Sequence, residues 1–152
     1  METTVFDVAK YILYKIGESI TWRLHKLCFY AQAWHLVWED KPLFYEYFEA
    51  WGSGPVCVPL YRAQPKDALV LSEKNISGDI NNLSTEQKEC IDIVLRDYGH
   101  MEPYELWAEA CLEEPWIDAH ENDKIIITRE SMKKYYSKRY NEMYDSEDNN
   151  LE

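Results

Sequence analysis

The chain has 152 residues, enough for one domain with its own hydrophobic core and no need of disulfides or metal. Its formal net charge is −12, from 28 acidic against 16 basic residues, a balance that repels phosphate backbones and excludes nonspecific nucleic-acid binding. No apolar stretch nears the roughly 18 residues of a membrane span, and METTVFDVAK lacks the basic start and apolar run of a signal peptide, so a cytoplasmic protein is expected.

In chain order, Thr4-x-x-Asp7 has the form of a capping box, and Val5, Ala9, Ile12, Leu13 and Ile16 follow at helical spacing up to a stop at Gly17. Thr21 is placed to cap a second helix. Its one face carries Leu24, Leu27, Cys28, Ala31 and Trp34, while Phe29, Tyr30, Ala33 and Val37 widen that face almost all round. A helix apolar on every side is a central one. Asp40-Lys41-Pro42 breaks it, and Leu43 to Trp51 reads as extended, with Tyr45 and Tyr47 on the side opposite Phe44 and Phe48.

EAWGSGPV, residues 49–56, gathers two glycines and a proline in a chain with only five glycines and six prolines. It matches no phosphate cradle: a proline follows the second glycine and no lysine comes close behind. The conformational reading is a corner, with both glycines at positive φ and prolines 55 and 59 fixing the exit into a short helix. Residues 63–82 read as a loop with at most short strands. Ser84-x-x-Gln87 is a second capping box, followed by Ile91, Val94, Leu95 and Tyr98 and ended by Gly99. Pro103 starts a short helix through Leu106, Trp107 and Ala110, which Pro115 stops before Trp116. Lys124 to Ile127 predicts a short strand, and Thr128 caps a last helix bearing Met132, Tyr135 and Tyr136. Residues 141–152 hold five acids and no base and are expected to form a disordered tail after a domain spanning 1–140. The fold class is mostly α: a compact single-domain helical bundle around a central hydrophobic helix, with a small β element.

Six tryptophans and twelve tyrosines supply either core or a protein-binding surface. The acidity suits a basic protein partner, or serves solubility alone. Cys28, Cys57, Cys90 and Cys111 show no C-x-x-C spacing and read as reduced, mostly buried thiols. His25, His35, His100 and His120 lack metal-ligand spacing; the first two lie about 15 Å apart along one helix. Cys111 and His120 flank a break and can approach, yet no orienting group marks a nucleophile there. Glu113, Glu114 and Asp118 are unremarked among so many acids. No catalytic, cofactor or metal residue is assigned, and the chain is not expected to be an enzyme.

The run HKLCFYAQAWH at 25–35, then KPLF to residue 44, EAWGSGPV at 49–56 and PLYR to residue 62 resembles the Panacea domain of SocA-like antitoxins and phage-associated GepA-like proteins. Lys26, Leu27, Tyr30, Ala31, Gln32, Trp34, Trp51, Gly54, Pro55, Tyr61 and Trp116 carry the pattern, which covers roughly residues 4–140. The resemblance implies a mostly helical domain and an antitoxin of a toxin–antitoxin pair that neutralises a cognate protein toxin by direct binding. It also admits an adaptor that delivers a toxin to an ATP-dependent AAA+ protease, or a phage or prophage protein that inhibits a host factor. The pattern residues either hold the scaffold or touch the partner. Tyr45 and Tyr47 are further candidates for partner contact, unless they pack on the domain itself.

Overall fold

Fourteen of the nineteen residues of helix α2 (Thr21–Glu39) are buried, polar ones included, so the rest of the chain has to surround it. The structure is a computed structural model that describes residues 2–150, with side chains through Asp145. Around α2 stand α1 (Val5–Ile16), α4 (Thr85–Tyr98), α5 (Pro103–Cys111) and α7 (Arg129–Asn150), with α6 (Glu114–Glu121) and the short α3 (Val58–Ala63) completing the shell. A small three-stranded sheet packs against one side of α2. It has the order β3 (Gly54–Cys57), β2 (Phe48–Trp51), β5 (Ile126–Ile127), all antiparallel. β1 (Ser19–Ile20) and β4 (Val70–Leu71) form a separate two-stranded pair. The protein is compact and mostly helical, with a small β element.

The N-terminal helix forms as its sequence predicts. Thr4 and Asp7 make a reciprocal capping box, and Gly17 closes the helix at φ +82°, a conformation that disfavours any side chain. Asp7 does more than cap. Its carboxylate also accepts from Asp79 N at 2.9 Å and Asn82 Nδ2 at 2.9 Å, which pins the 3₁₀ turn at residues 80–82 to the start of α1. Burial pushes the Asp7 carboxyl up, but the bonds from Asn82, Asp79 and Thr4 together hold it below its ordinary value. Ser84 and Gln87 cap α4 in the same reciprocal manner.

Elsewhere the structure departs from expectation. Thr21 is the first helical residue of α2 rather than its cap: its Oγ1 donates to Ala68 O at 2.8 Å and its N–H to Leu69 O at 2.9 Å. The helix start is therefore satisfied by a loop distant in sequence. Pro115 begins α6 instead of stopping α5, because a proline in a first turn removes only an N–H that has no helical partner. The strand expected at 124–127 shrinks to Ile126–Ile127, since Ile125 turns at φ +57° to receive Ala50 N–H at 2.7 Å. Beyond Asn141, α7 continues to Asn150 where a disordered acidic tail was predicted; Leu151 and Glu152 lie outside the described residues.

Replacing Asp7 with alanine removes the acidic half of the capping box and frees three donors at once: Thr4 N, Asp79 N and Asn82 Nδ2. The expected loss is about 2–3 kcal/mol by urea denaturation, with faster amide exchange at Asp79. Unchanged exchange at Asp79 would show that the 79–82 segment is held by something else.

Candidate functional site

The glycine-proline stretch is a β-hairpin, not a corner. Trp51 pairs with Gly54 and Phe48 with Cys57, leaving Gly52 and Ser53 as the two turn residues. Only Gly54 has positive φ, at +105°; Gly52 does not. Ala50 sends its N–H to Ile125 and receives His120 Nδ1 on its carbonyl at 3.2 Å, both away from β3. Ala50 and Pro55 are thus opposite residues that exchange no hydrogen bond, and the missing N–H of Pro55 costs the ladder nothing.

Three side chains from α5 and α6 hold successive carbonyls of the hairpin. His120 engages Ala50 O, Trp116 Nε1 donates to Trp51 O at 2.9 Å, and Trp107 Nε1 donates to Gly52 O at 2.8 Å. The Trp116 and His120 rings stack 4.3 Å apart, fixing both donors. Trp51 meets Tyr61 edge-on at 5.0 Å, and Tyr61 stacks on Trp22. The pattern residues Trp51, Gly54, Tyr61 and Trp116 are therefore one cluster.

Beneath the turn lies Lys26, fully buried in α2. Its Nζ donates to Trp22 O, one helical turn back, at 3.1 Å. A Cβ on residue 54 would lie 2.6 Å from Lys26 Cε and 2.9 Å from Nζ. Glycine at 54 is thus required twice, by its φ and by the lysine stem under it. Burial brings the Lys26 ammonium down to about 8, with the half-buried Cys111 thiol as its electrostatic neighbour. Burial likewise raises the Cys111 thiol, against the pull of Lys26.

The other polar groups of α2 are matched in the same way. His25 Nδ1 accepts from Cys57 N–H at 3.1 Å, so its proton sits on Nε2, which donates to Gln64 Oε1 at 3.0 Å. Burial lowers His25 to about 4, with the neighbouring Lys26 charge acting in the same direction and the Gln64 bond against it. Gln32 spans the start of the extended segment, donating to Phe44 O at 2.6 Å and accepting from Leu43 N at 2.7 Å. Leu27 and Ala31 are plain core.

A second cluster was not foreseen. Glu113, in the break between α5 and α6, is almost fully buried and accepts from Tyr30 Oη at 2.5 Å, Tyr136 Oη at 2.8 Å and Arg139 Nη1 at 2.7 Å. Burial raises the Glu113 carboxyl, while the two hydroxyls and the guanidinium favour its charged form. Tyr30 stacks on Tyr98 at 4.1 Å, and Trp34 Nε1 donates to the Tyr98 hydroxyl at 3.0 Å. No local pattern marks Glu113 out; the groups that single it out come from 83 residues before it and up to 26 after it.

Tyr45 and Tyr47 stand apart from both clusters. They are exposed where Phe44 and Phe48 are buried, and Arg129 lies 5.0 Å from the Tyr45 ring centre. Cys111 and His120 each have other partners, Lys26 for the thiol and Trp116 and Ala50 for the imidazole. Among the described residues no three His, Cys, Asp or Glu side chains are grouped to hold a metal ion, and no helix is long and apolar enough to cross a membrane.

A family model described as antitoxin SocA-like, Panacea domain, matches residues 24–117. The chain belongs to that family. No curated protein and no solved structure matches it. The matched span runs through α2, the hairpin, α4 and α5 and ends within α6. The matched residues thus contain the hairpin cluster apart from Trp22 and His120, and of the Glu113 cluster they contain Tyr30, Trp34, Tyr98 and Glu113 itself. α7 supplies the remaining partners, Tyr136 and Arg139, from outside the matched residues. Family membership implies a toxin–antitoxin role.

Two measurements check these assignments. Gly54→Ala should cost more than about 1 kcal/mol, and less when combined with Lys26→Ala, which removes the obstructing stem; equal costs in both backgrounds would refute the steric part. For His25, the folded value near 4 against 6.5 unfolded means stability present above about pH 6.5 and lost as pH falls toward 4. That contribution is about 3 kcal/mol. An NMR titration showing the His25 ring protonating above pH 6 in the folded protein would contradict it.

Proposed function

We propose that this chain is an antitoxin that neutralises a cognate protein toxin by direct binding, as a binding protein and not an enzyme. Membership of the SocA-like antitoxin family over residues 24–117 carries the reading. The use of the pattern residues supports it. Lys26, Tyr30, Gln32, Trp34, Trp51 and Trp116 satisfy polar groups inside the domain, and Gly54 gives Lys26 room. Residues spent on the scaffold leave recognition to the exposed surface. The net charge of −12 favours a basic partner and disfavours nucleic acid. Exposed aromatics provide the side chains that most often dominate binding energy.

The test is coexpression with the neighbouring reading frame in a host that the neighbour alone stops from growing. Growth should return when this chain is present, and the two proteins should copurify in a fixed ratio. A neighbour whose toxicity is unchanged by this chain would overturn the reading.

A further inference from the structure

The antiparallel register of β2 and β5 pairs Phe48 with Ile127 and Glu49 with Ile126, and Ala50 N–H donates to Ile125 O at 2.7 Å. Main-chain groups alternate in direction along a strand. Those of Ala50 and Phe48 face β5, and so do those of Glu46 in the stretch leading into β2. Tyr47 keeps the alternation, since its carbonyl accepts from Val58 N on the β3 side at 3.2 Å. Continued by two residues, the register would set Arg129 opposite Glu46. Arg129 instead opens α7, where Thr128 Oγ1 accepts from Ser131 N at 3.1 Å, and the chain leaves the sheet. The ladder stops one rung short. Among the described residues, neither the N–H nor the C=O of Glu46 has a hydrogen-bond partner.

An opening of about 360 Å³ lies at this rung. The buried Gln32 and Met132 line it, and so do Tyr45 and Tyr47, exposed to 60% and 38%. The Glu46 carboxylate is tied to Val5 N at 2.9 Å, and Arg129 offsets Glu130, so charge selects no occupant here. The main chain does. A donor and an acceptor left open at the end of a ladder are matched together by another extended chain.

We propose that an extended segment of the toxin adds to the sheet at this rung. One of its residues exchanges N–H and C=O with Glu46, and that residue's side chain shares the inner face with Phe48, where an apolar group suits the buried lining. The adjacent residue lies opposite Tyr45 on the outer face, where a β-branched or aromatic side chain gains most from the ring. Glu46 and the two tyrosines belong to the matched Panacea residues, while Arg129 and Met132 do not, so one wall of the opening can be specific to this chain's partner. The inference rests on the antitoxin reading only for the identity of the partner.

Amide exchange followed by NMR reads the rung directly. In the free protein the Glu46 amide should exchange roughly tenfold or more faster than that of Ala50, which is bonded. The probe is a synthetic peptide of about seven residues, threonine alternating with valine and lysine at each end. It should slow exchange at Glu46, and the same peptide N-methylated at every residue should not. Glu46→Pro removes the N–H, whereas Glu46→Ala removes only the carboxylate, so the proline should bind the peptide about fivefold or more weakly than the alanine. Leu69→Glu, at a 74% exposed site outside this sheet, should change binding less than about twofold. Equal affinity of the proline and alanine variants, a Glu46 amide already protected in the free protein, or no effect of the peptide overturns the proposal. Protection that grows with protein concentration alone would assign the rung to a second copy of this chain and overturn the toxin as occupant. Circular dichroism shows whether each variant is folded, and exchange in the wild type decides the matter if the proline variant is not. In the growth assay, a wild type that protects and a folded Glu46→Pro that protects equally well would sink the rung and leave the antitoxin reading intact. A wild type that fails to protect would sink that reading, and exchange with the peptide would still decide the rung.

Discussion

A polar group placed inside a central helix must find its partner there, and this requirement shapes the rest of the molecule. α2 buries a lysine, two histidines, a glutamine and a tyrosine along with its apolar residues. An unsatisfied buried donor or acceptor costs about 1–3 kcal/mol, and an uncompensated charge costs more. All of these side chains except the lysine therefore reach a segment of the shell outside the helix. His25 fixes the end of β3, Gln32 the entry to β2, His35 the Lys41 carbonyl, and Tyr30 the α5–α6 break. The hydrophobic effect gathers the shell, but these bonds decide which segment sits over which turn of the helix.

Lys26 presents the hardest case, because its ammonium has one bond, to a carbonyl of its own helix. The solution is a turn with no side chain over it. Gly54 lets the hairpin descend onto the lysine stem, and Trp107 and Trp116 hold the hairpin by its carbonyls. A hairpin this short would be marginal alone. Here it packs on a buried cation and is bonded by two indoles, so the glycine, the lysine and the tryptophans form one mechanical unit.

The sequence makes local rules legible and leaves distant partners hidden. α1, α2 and α4 could be read because capping boxes and apolar spacing are encoded within a few residues. The alternation at 44–48 likewise separated the buried phenylalanines from the exposed tyrosines. Residues 49–56 read locally as a corner because the hairpin's pairing register depends on β5 and on α6, some seventy residues away. α6 is hidden in the sequence because a proline stops a helix or starts one, and the neighbouring residues do not say which. Glu113 was one acid among 28 until the fold placed Tyr30, Tyr136 and Arg139 around it.

This division bears on how such a domain acquires partners. The residues that identify the family are tied to each other through buried hydrogen bonds, so changing one leaves another unsatisfied and the domain loses stability. Exposed positions such as Ile93, Met143 and Tyr45 carry no comparable obligation, and substitutions there usually change stability by no more than about half a kcal/mol. α7 joins the two regimes. Its first half completes the Glu113 network through Tyr136 and Arg139, while its later turns carry Met143 and Tyr144 into solvent. A helix anchored by a buried carboxylate at one end can vary freely at the other, and that freedom is what a scaffold needs if its binding surface is to change while its interior does not.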